Sequence, residues 1–352
     1  MKGYVLEDIN QASWRDDLPK PVAQDDEVVM QPVIVAPCTS DVHILETLAF
    51  PTMKGKPLGH EVAGIVHEVG SRVKDFKPGD RVAISAAAID WERPEAQDGY
   101  GKYNMISPYA STDPRLMGCF AEYYLVPQAD LNLAHIPDEV TWEQAVALTD
   151  MATTAFEGVE WLEIKYGETV VVYGIGAVGL MAVCAAVLKG AGRIIVIGSR
   201  EVSFEVAKAY GATDFVNYRD GDVIEQVLTL NGGPVHAVVV CGGKGVSAIS
   251  DAVQMVCLGG RVTNVAGHMA DETFTMPNIA WGFGMSDKSI RSVMCRGGRA
   301  NLERLLALVK YGRFDPSKIV THVYHGMEHI PRALEQMGGR DRTAIKPAVF
   351  LE

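Results

Sequence analysis

"TVVVYGIGAVGLMAVCAAVL", residues 169–188, decides the fold. Twenty residues pass without a charge, a length that can span a bilayer. The order of residue types argues otherwise. The first half is β-branched, the middle holds Gly174, Gly176 and Gly179, and the second half is rich in Ala, Leu and Met. This reads as a strand, a glycine turn and a buried helix. A G-x-G-x-x-G hexamer occurs by chance, but between a strand and a helix it becomes informative. There Gly174 permits a tight turn, Gly176 lets the backbone approach a pyrophosphate at the helix N-terminus, and Gly179 lets helix and strand pack closely. The competing reading is a turn that binds nothing.

Outward from this stretch the pattern repeats. Strand-like runs lie at 193–198, 214–217, 236–241 and 261–266, with a further one at 289–294. Helix-like text fills 177–190, 201–210, 221–230 and 246–257. Strands that are wholly apolar are covered on both faces, and alternating β and α units predict a doubly wound parallel sheet of the Rossmann type. The second strand ends in Gly198, Ser199 and Arg200, where an NAD site would place a carboxylate for the ribose. A glycine leaves room, a hydroxyl donates, and a guanidinium pairs with a phosphorylated adenosine, so NADP(H) is the expected cofactor. The adjacent Glu201 speaks for NAD, and a solvated Arg200 at a helix start is the bland alternative.

Residues 1–150 differ. Short strands broken by Gly and Pro, with few crossover helices, predict a mostly β domain. In the tail, "NLERLLALVKYG" reads as a helix, and "THVYH" and "IKPAVFL" as strands able to return to that domain. The stretch 90–117 is long, polar and turn-rich. With 352 residues, two domains are expected. A net charge of −12 argues against nucleic acid and anionic membranes as partners. The six cysteines form no C-x-x-C pair, and the N-terminus has no apolar run of signal-peptide length, so a cytoplasmic protein is expected.

"APCTSDVH", residues 36–43, packs Cys38, Thr39, Ser40, Asp41 and His43 together. Alone it fits a nucleophile and base, a metal ligand, or a buried thiol in a polar turn. Its bland reading makes Ser40 the cap of a helix starting at Asp41, with His43 on the surface. "GHEVAGIVHEVG", residues 59–70, sets His60 beside Glu61, but position 64 is Gly, so this is not H-E-x-x-H. Catalytic zinc takes three protein ligands; Cys38 and His60 supply two candidates.

Taken together, "GHEVAGIVHEVGSRV", "PCTSDVH", "DFKPGDRV", "GCFAEY" and "GIGAVGL" resemble the zinc-containing medium-chain dehydrogenase/reductase family. "IGSR", "GATDFVNY", "CRGGR" and "DPSKIVTHV" are similar to its NADP-dependent secondary alcohol dehydrogenases. The resemblance implies a GroES-like catalytic domain, 1–151 with 296–352, and a Rossmann cofactor domain, 152–295. It implies that Cys38, His60 and Asp150 hold a catalytic Zn2+ with Glu61 as a neighbouring ligand, although by residue text alone Asp150 reads as a helix cap. It implies a proton relay through Ser40 and His43. Cofactor contacts would come from Gly174, Ile175, Gly176, Ala177, Val178, Gly179, Gly198, Ser199, Arg200, Tyr218, Val265, Ala266, Gly267 and Arg340.

The same resemblance places Ala86, Tyr109, Met294 and Cys295 in the substrate pocket. The match is poorest through 100–117, where an expected tryptophan is replaced by Tyr109 or lost. A structural zinc needs four cysteines near 90–117; that loop has none, so none is expected. The implied reaction is hydride transfer between NADP(H) and a secondary alcohol or ketone, by a homotetramer without nucleic-acid or membrane partners. A polyol or threonine dehydrogenase of the same family is the runner-up. A cysteine-nucleophile enzyme and a dinucleotide-binding sensor are the readings from other classes.

Overall fold

The computed structural model describes residues 1–86, 88–243, 245–267, 273–339 and 341–352. The chain divides into two units: residues 1–153 with 296–352, and residues 154–295.

In the first unit, β-branched runs with glycine breaks pair as an antiparallel meander. Val28–Val35 pairs with Val62–Val69, which continues through Arg81–Ile84 to Leu133–His135. On its other side Val28–Val35 accepts the C-terminal strand Lys346–Phe350, which carries Val320–His325 in parallel at the edge. Tyr124–Val126 also pairs with Val28–Val35, and Gly3–Asp8 forms a hairpin with Gln11–Arg15. Met30, Leu58, Val62, Phe120, Leu133 and Val349 are buried together beneath these strands. One consequence matters for function. Residues at the end of Val28–Val35, before the start of Val62–Val69 and at the start of Lys346–Phe350 are drawn to one edge of the core.

In the second unit, six strands lie parallel in the order Asp214–Asn217, Arg193–Gly198, Thr169–Tyr173, Val235–Val240, Val256–Asn264, Ser289–Ser292. Helices Ala177–Leu188, Glu201–Ala209, Val223–Asn231 and Ser247–Met255 connect them. The Rossmann and GroES-like fold classes expected from sequence are therefore those observed. The chain order reverses at Thr169–Tyr173, which places the glycine turn at a topological switch point. Gly174 has φ 91°, and a Cβ on Gly179 would sit 1.9 Å from the Gly174 carbonyl oxygen, so both positions require glycine.

One strand begins earlier than expected. Val256–Asn264 starts five residues before 261, because "CLGGR" stays within the strand despite its glycines. Gly259 takes φ 69° within it, and the register shifts across this region. Paired glycines thus mark an irregularity in the strand and not its boundary. Among the described residues, no helix is long and apolar enough to cross a membrane.

Candidate metal centre

The strand Val28–Val35 runs through Ala36 and Pro37 into helix Thr39–Thr47, with Cys38 extended at the N-cap (φ −115°, ψ 158°). Asp41, at the third helical position, is fully buried and accepts the Cys38 N–H at 2.9 Å. The helix therefore starts at Thr39, two residues before the sequence-based start. Ser40 lies within the first turn instead of capping it, because the Asp41 carboxylate already serves the cap. Its hydroxyl is 3.4 Å from His60 Nε2. His43, one turn on, is exposed and 3.8 Å from Glu46.

His60 and Glu61 immediately precede strand Val62–Val69, and the Glu61 carbonyl accepts the Ala36 N–H at 3.1 Å. This backbone bond brings the two sequence motifs together. Asp150 enters from a π-turn, Leu148–Ala152, that follows helix Trp142–Ala147. It is therefore not the cap residue that its flanking text suggests. A π-turn widens the helix by one residue and redirects its side chains, a device frequent at functional sites.

Ligand atoms of Cys38, His60, Glu61 and Asp150 all lie within 4.8 Å of one another. Asp150 Oδ2 is 3.9 Å from Cys38 Sγ and 3.8 Å from His60 Nε2, and Glu61 Oε1 is 3.9 Å from His60 Nε2. One thiol, one imidazole and two carboxylates, largely buried, form a donor set that suits zinc. The other imidazole nitrogen is occupied: His60 Nδ1 is 3.1 Å from Asp41 Oδ1 and 3.0 Å from the Tyr109 hydroxyl. With Nδ1 held by a carboxylate, Nε2 is the nitrogen that faces the cluster and would bind a metal there.

Burial disfavours a charged His60, but Tyr109, Asp41 and Asp150 outweigh it and hold the imidazole well above its ordinary range. Burial pushes the Tyr109 phenol up, so the hydroxyl is neutral at physiological pH.

Two residues of the site carried no assigned role in the sequence reading. Asp41 was visible in the octapeptide; its two partners were not. Lys346 gave almost no signal, since it is one lysine in the apolar text "AIKPAVF". It is fully buried, with Nζ 2.7 Å from Glu61 Oε1 and 2.6 Å from Oε2. Burial opposes both charges of this pair. For Lys346 the Glu61 carboxylate outweighs burial and holds the ammonium above its ordinary range; for Glu61 burial wins and the carboxyl is pushed up. Glu61 Oε2 makes no hydrogen bond of good geometry although it is buried.

The remaining candidates fall elsewhere. In the second unit, Gly174–Gly179 form the turn entering helix Ala177–Leu188, so Ile175, Gly176, Ala177 and Val178 lie at its N-terminus. Gly198 ends its strand, and the Ser199 hydroxyl donates to the Tyr218 hydroxyl at 2.7 Å beside Arg200. Val265, Ala266 and Gly267 follow strand Val256–Asn264, with the Ala266 carbonyl accepting from Asn264 Nδ2 at 2.9 Å. Met294 and Cys295 belong to the second unit, Ala86 and Tyr109 to the first. Arg340 lies outside the described residues.

Residues 24–138 match the alcohol dehydrogenase GroES-like domain, and residues 177–310 match the zinc-binding dehydrogenase model. The chain belongs to the zinc-binding alcohol dehydrogenase family, within the medium-chain dehydrogenases. More particularly, it is 44% identical over 354 residues, covering 100% of both chains, to the NADP-dependent isopropanol dehydrogenase of Clostridium beijerinckii. The identity and coverage are the same for the NADP-dependent isopropanol dehydrogenase of Thermoanaerobacter brockii. Among solved structures, an alcohol dehydrogenase from Thermus sp. ATN1 superposes with TM-score 0.87 at 26% identity, covering 100% of each chain.

Proposed function

We propose that this enzyme transfers a hydride between NADP(H) and a secondary alcohol or ketone, with a zinc ion held by Cys38, His60 and Asp150 and with Glu61 beside them. The observation that carries this reading is the convergence of those four donors, with Asp41 holding both the Cys38 backbone and the His60 imidazole. When bound, zinc supplies Lewis-acid polarisation of the substrate oxygen. The chain supplies the rest. Asp41 directs His60 Nε2 into the cluster, and Lys346 holds the Glu61 carboxylate. The relay begins in this reading at Ser40, whose hydroxyl lies 3.4 Å from His60 Nε2 and would exchange a proton with the substrate oxygen. In this reading His43, three positions on in the same helix and exposed, releases that proton to solvent.

NADP(H) is supported by the second-unit strand that ends in Gly198, Ser199 and Arg200 without a carboxylate, with Tyr218 hydrogen-bonded to Ser199. The isopropanol dehydrogenases named above share that cofactor. A single zinc is supported by the way the cysteine-free loop 90–117 is fastened. Lys56 Nζ donates to the Ser111 and Asp113 carbonyls at 2.9 and 3.1 Å, and Arg115 bridges Asp113 and Glu27 at 2.9 and 2.8 Å. In this reading these contacts take the place of a structural metal in the loop. Ala86, Tyr109, Met294 and Cys295 remain the proposed substrate wall. The small Ala266 and Gly267 favour ketones bulkier than propanone, and the working form is a homotetramer.

The test is NADPH oxidation with a size series of ketones, before and after chelation. We expect turnover that vanishes with zinc and returns on adding it back. Full activity after complete zinc removal would refute the mechanism, and a steady fall in kcat/KM from propanone upward would refute the wide pocket.

A further inference from the structure

The loop 90–117 reaches the candidate metal centre through Tyr109. Tyr109 places its hydroxyl 3.0 Å from His60 Nδ1, alongside Asp41 Oδ1 at 3.1 Å. Its ring meets the imidazole edge-on, with centroids 5.9 Å apart and planes at 75°. The tyrosine is itself anchored on three sides. Its N–H donates to Ser107 Oγ at 3.1 Å, its carbonyl accepts the Thr52 hydroxyl at 2.6 Å, and its ring packs on Phe50 at 5.6 Å. A substrate-wall role needs the ring face alone. It accounts for neither the hydroxyl on Nδ1 nor the anchoring of the backbone.

We infer that Tyr109 is a positioning residue for the metal: with Asp41 it shares the Nδ1–H of His60 and fixes the plane of the imidazole, so the long loop acts as an outer support of the zinc site. This rests on the zinc site proposed above. When Nε2 binds metal, Nδ1 carries one proton and needs an acceptor. A single carboxylate permits the ring to swing about that bond. Two oxygens, one of them on a ring packed against the imidazole, restrict it. Orientation of a ligating histidine by such partners alters metal affinity by about 10- to 100-fold, and with Asp41 still present the lower end is expected for Tyr109.

The variant is Tyr109→Phe in the full chain, which keeps the ring and removes the hydroxyl. Zinc affinity is measured by competition with a chromophoric chelator, and the Co2+-substituted protein gives the visible spectrum. We expect about tenfold weaker zinc binding, displaced Co2+ ligand-field bands and a fall in kcat, with KM for ketones little changed. Zinc affinity and Co2+ bands identical to the parent, with only KM altered, would overturn the inference and leave Tyr109 as a wall residue. Thr52→Val, which loosens the anchor but leaves the phenol, is expected to weaken zinc binding about two- to threefold by the same route. If Tyr109→Phe does not fold, parent-like zinc affinity in Thr52→Val overturns the inference. A parent protein that binds no zinc would instead refute the proposed function.

Discussion

The glycine turn and the metal centre encode their function in opposite ways. The turn is contiguous: Gly174 takes φ 91°, Gly176 leaves open space and Gly179 packs against the Gly174 carbonyl, all within six residues. The candidate metal centre gathers residues 38, 60–61 and 150, with 41, 109 and 346 in contact with them. No short window contains it. The sheet of the first unit does the assembling, by setting the ends of Val28–Val35 and Lys346–Phe350 beside the chain that enters Val62–Val69. A local motif should therefore fail locally when altered, whereas the dispersed centre should transmit damage between distant segments.

The largest effect is expected at the dispersed centre. Lys346→Met leaves Glu61 buried with no ammonium, and breaking a buried pair on one side costs about 3–5 kcal/mol. Urea denaturation should show that loss, with most of it recovered in the Lys346→Met/Glu61→Gln double variant. A single variant within about 1 kcal/mol of the parent would mean that the C-terminal strand does not support the site through this pair.

Next comes a contrast within the glycine turn. Gly179→Ala drives a Cβ to 1.9 Å from a backbone oxygen, so the backbone must shift, at a cost of about 1–3 kcal/mol. Gly176→Ala meets nothing within 4 Å. Its stability should stay within about 0.5 kcal/mol of the parent, while NADP(H) binding, measured by fluorescence titration, weakens about tenfold. Parent-like NADP(H) affinity in Gly176→Ala would mean that the turn does not receive the pyrophosphate.

The smallest effect belongs to an ordinary ion pair of the second unit. Arg193 grips Asp214 at 2.7 Å through both carboxylate oxygens and holds it below the usual carboxylate range. A lowered native pKa contributes stability above the ordinary carboxylate range, and that contribution is lost as pH falls through the native value. Asp214→Asn should cost about 1 kcal/mol at neutral pH and little once the native carboxyl is protonated. A difference independent of pH would point to packing and not to charge.

The same contrast explains what could be read from the chain. The parallel sheet was legible because strands covered on both faces are written as apolar runs, and the turn because its glycines answer local sterics. The start of Val256–Asn264 was misplaced because Gly259 and Gly260 mimic a boundary. At the metal centre, Cys38 and His60 were visible as candidates, but joining Asp150 and Glu61 to them required resemblance to a family. The π-turn that aims Asp150 has no residue signature, since its geometry lies in a shifted hydrogen-bond register. Lys346 looks like any strand lysine until the chain entering Val62–Val69, on the far side of Val28–Val35, brings Glu61 against it. Asp41 and Tyr109 converge on one nitrogen from different segments, and Asp41 also holds the Cys38 N–H, neither of which a short window of text reveals.

The central claim is that one zinc ion is held by a single sulfur and by nitrogen and oxygen donors from distant segments. Zinc K-edge X-ray absorption on the purified enzyme tests it directly. One sulfur at about 2.3 Å and nitrogen or oxygen donors at about 2.0–2.2 Å are predicted, with the sulfur shell lost in Cys38→Ser. A shell of several sulfurs, or one without sulfur, would contradict it.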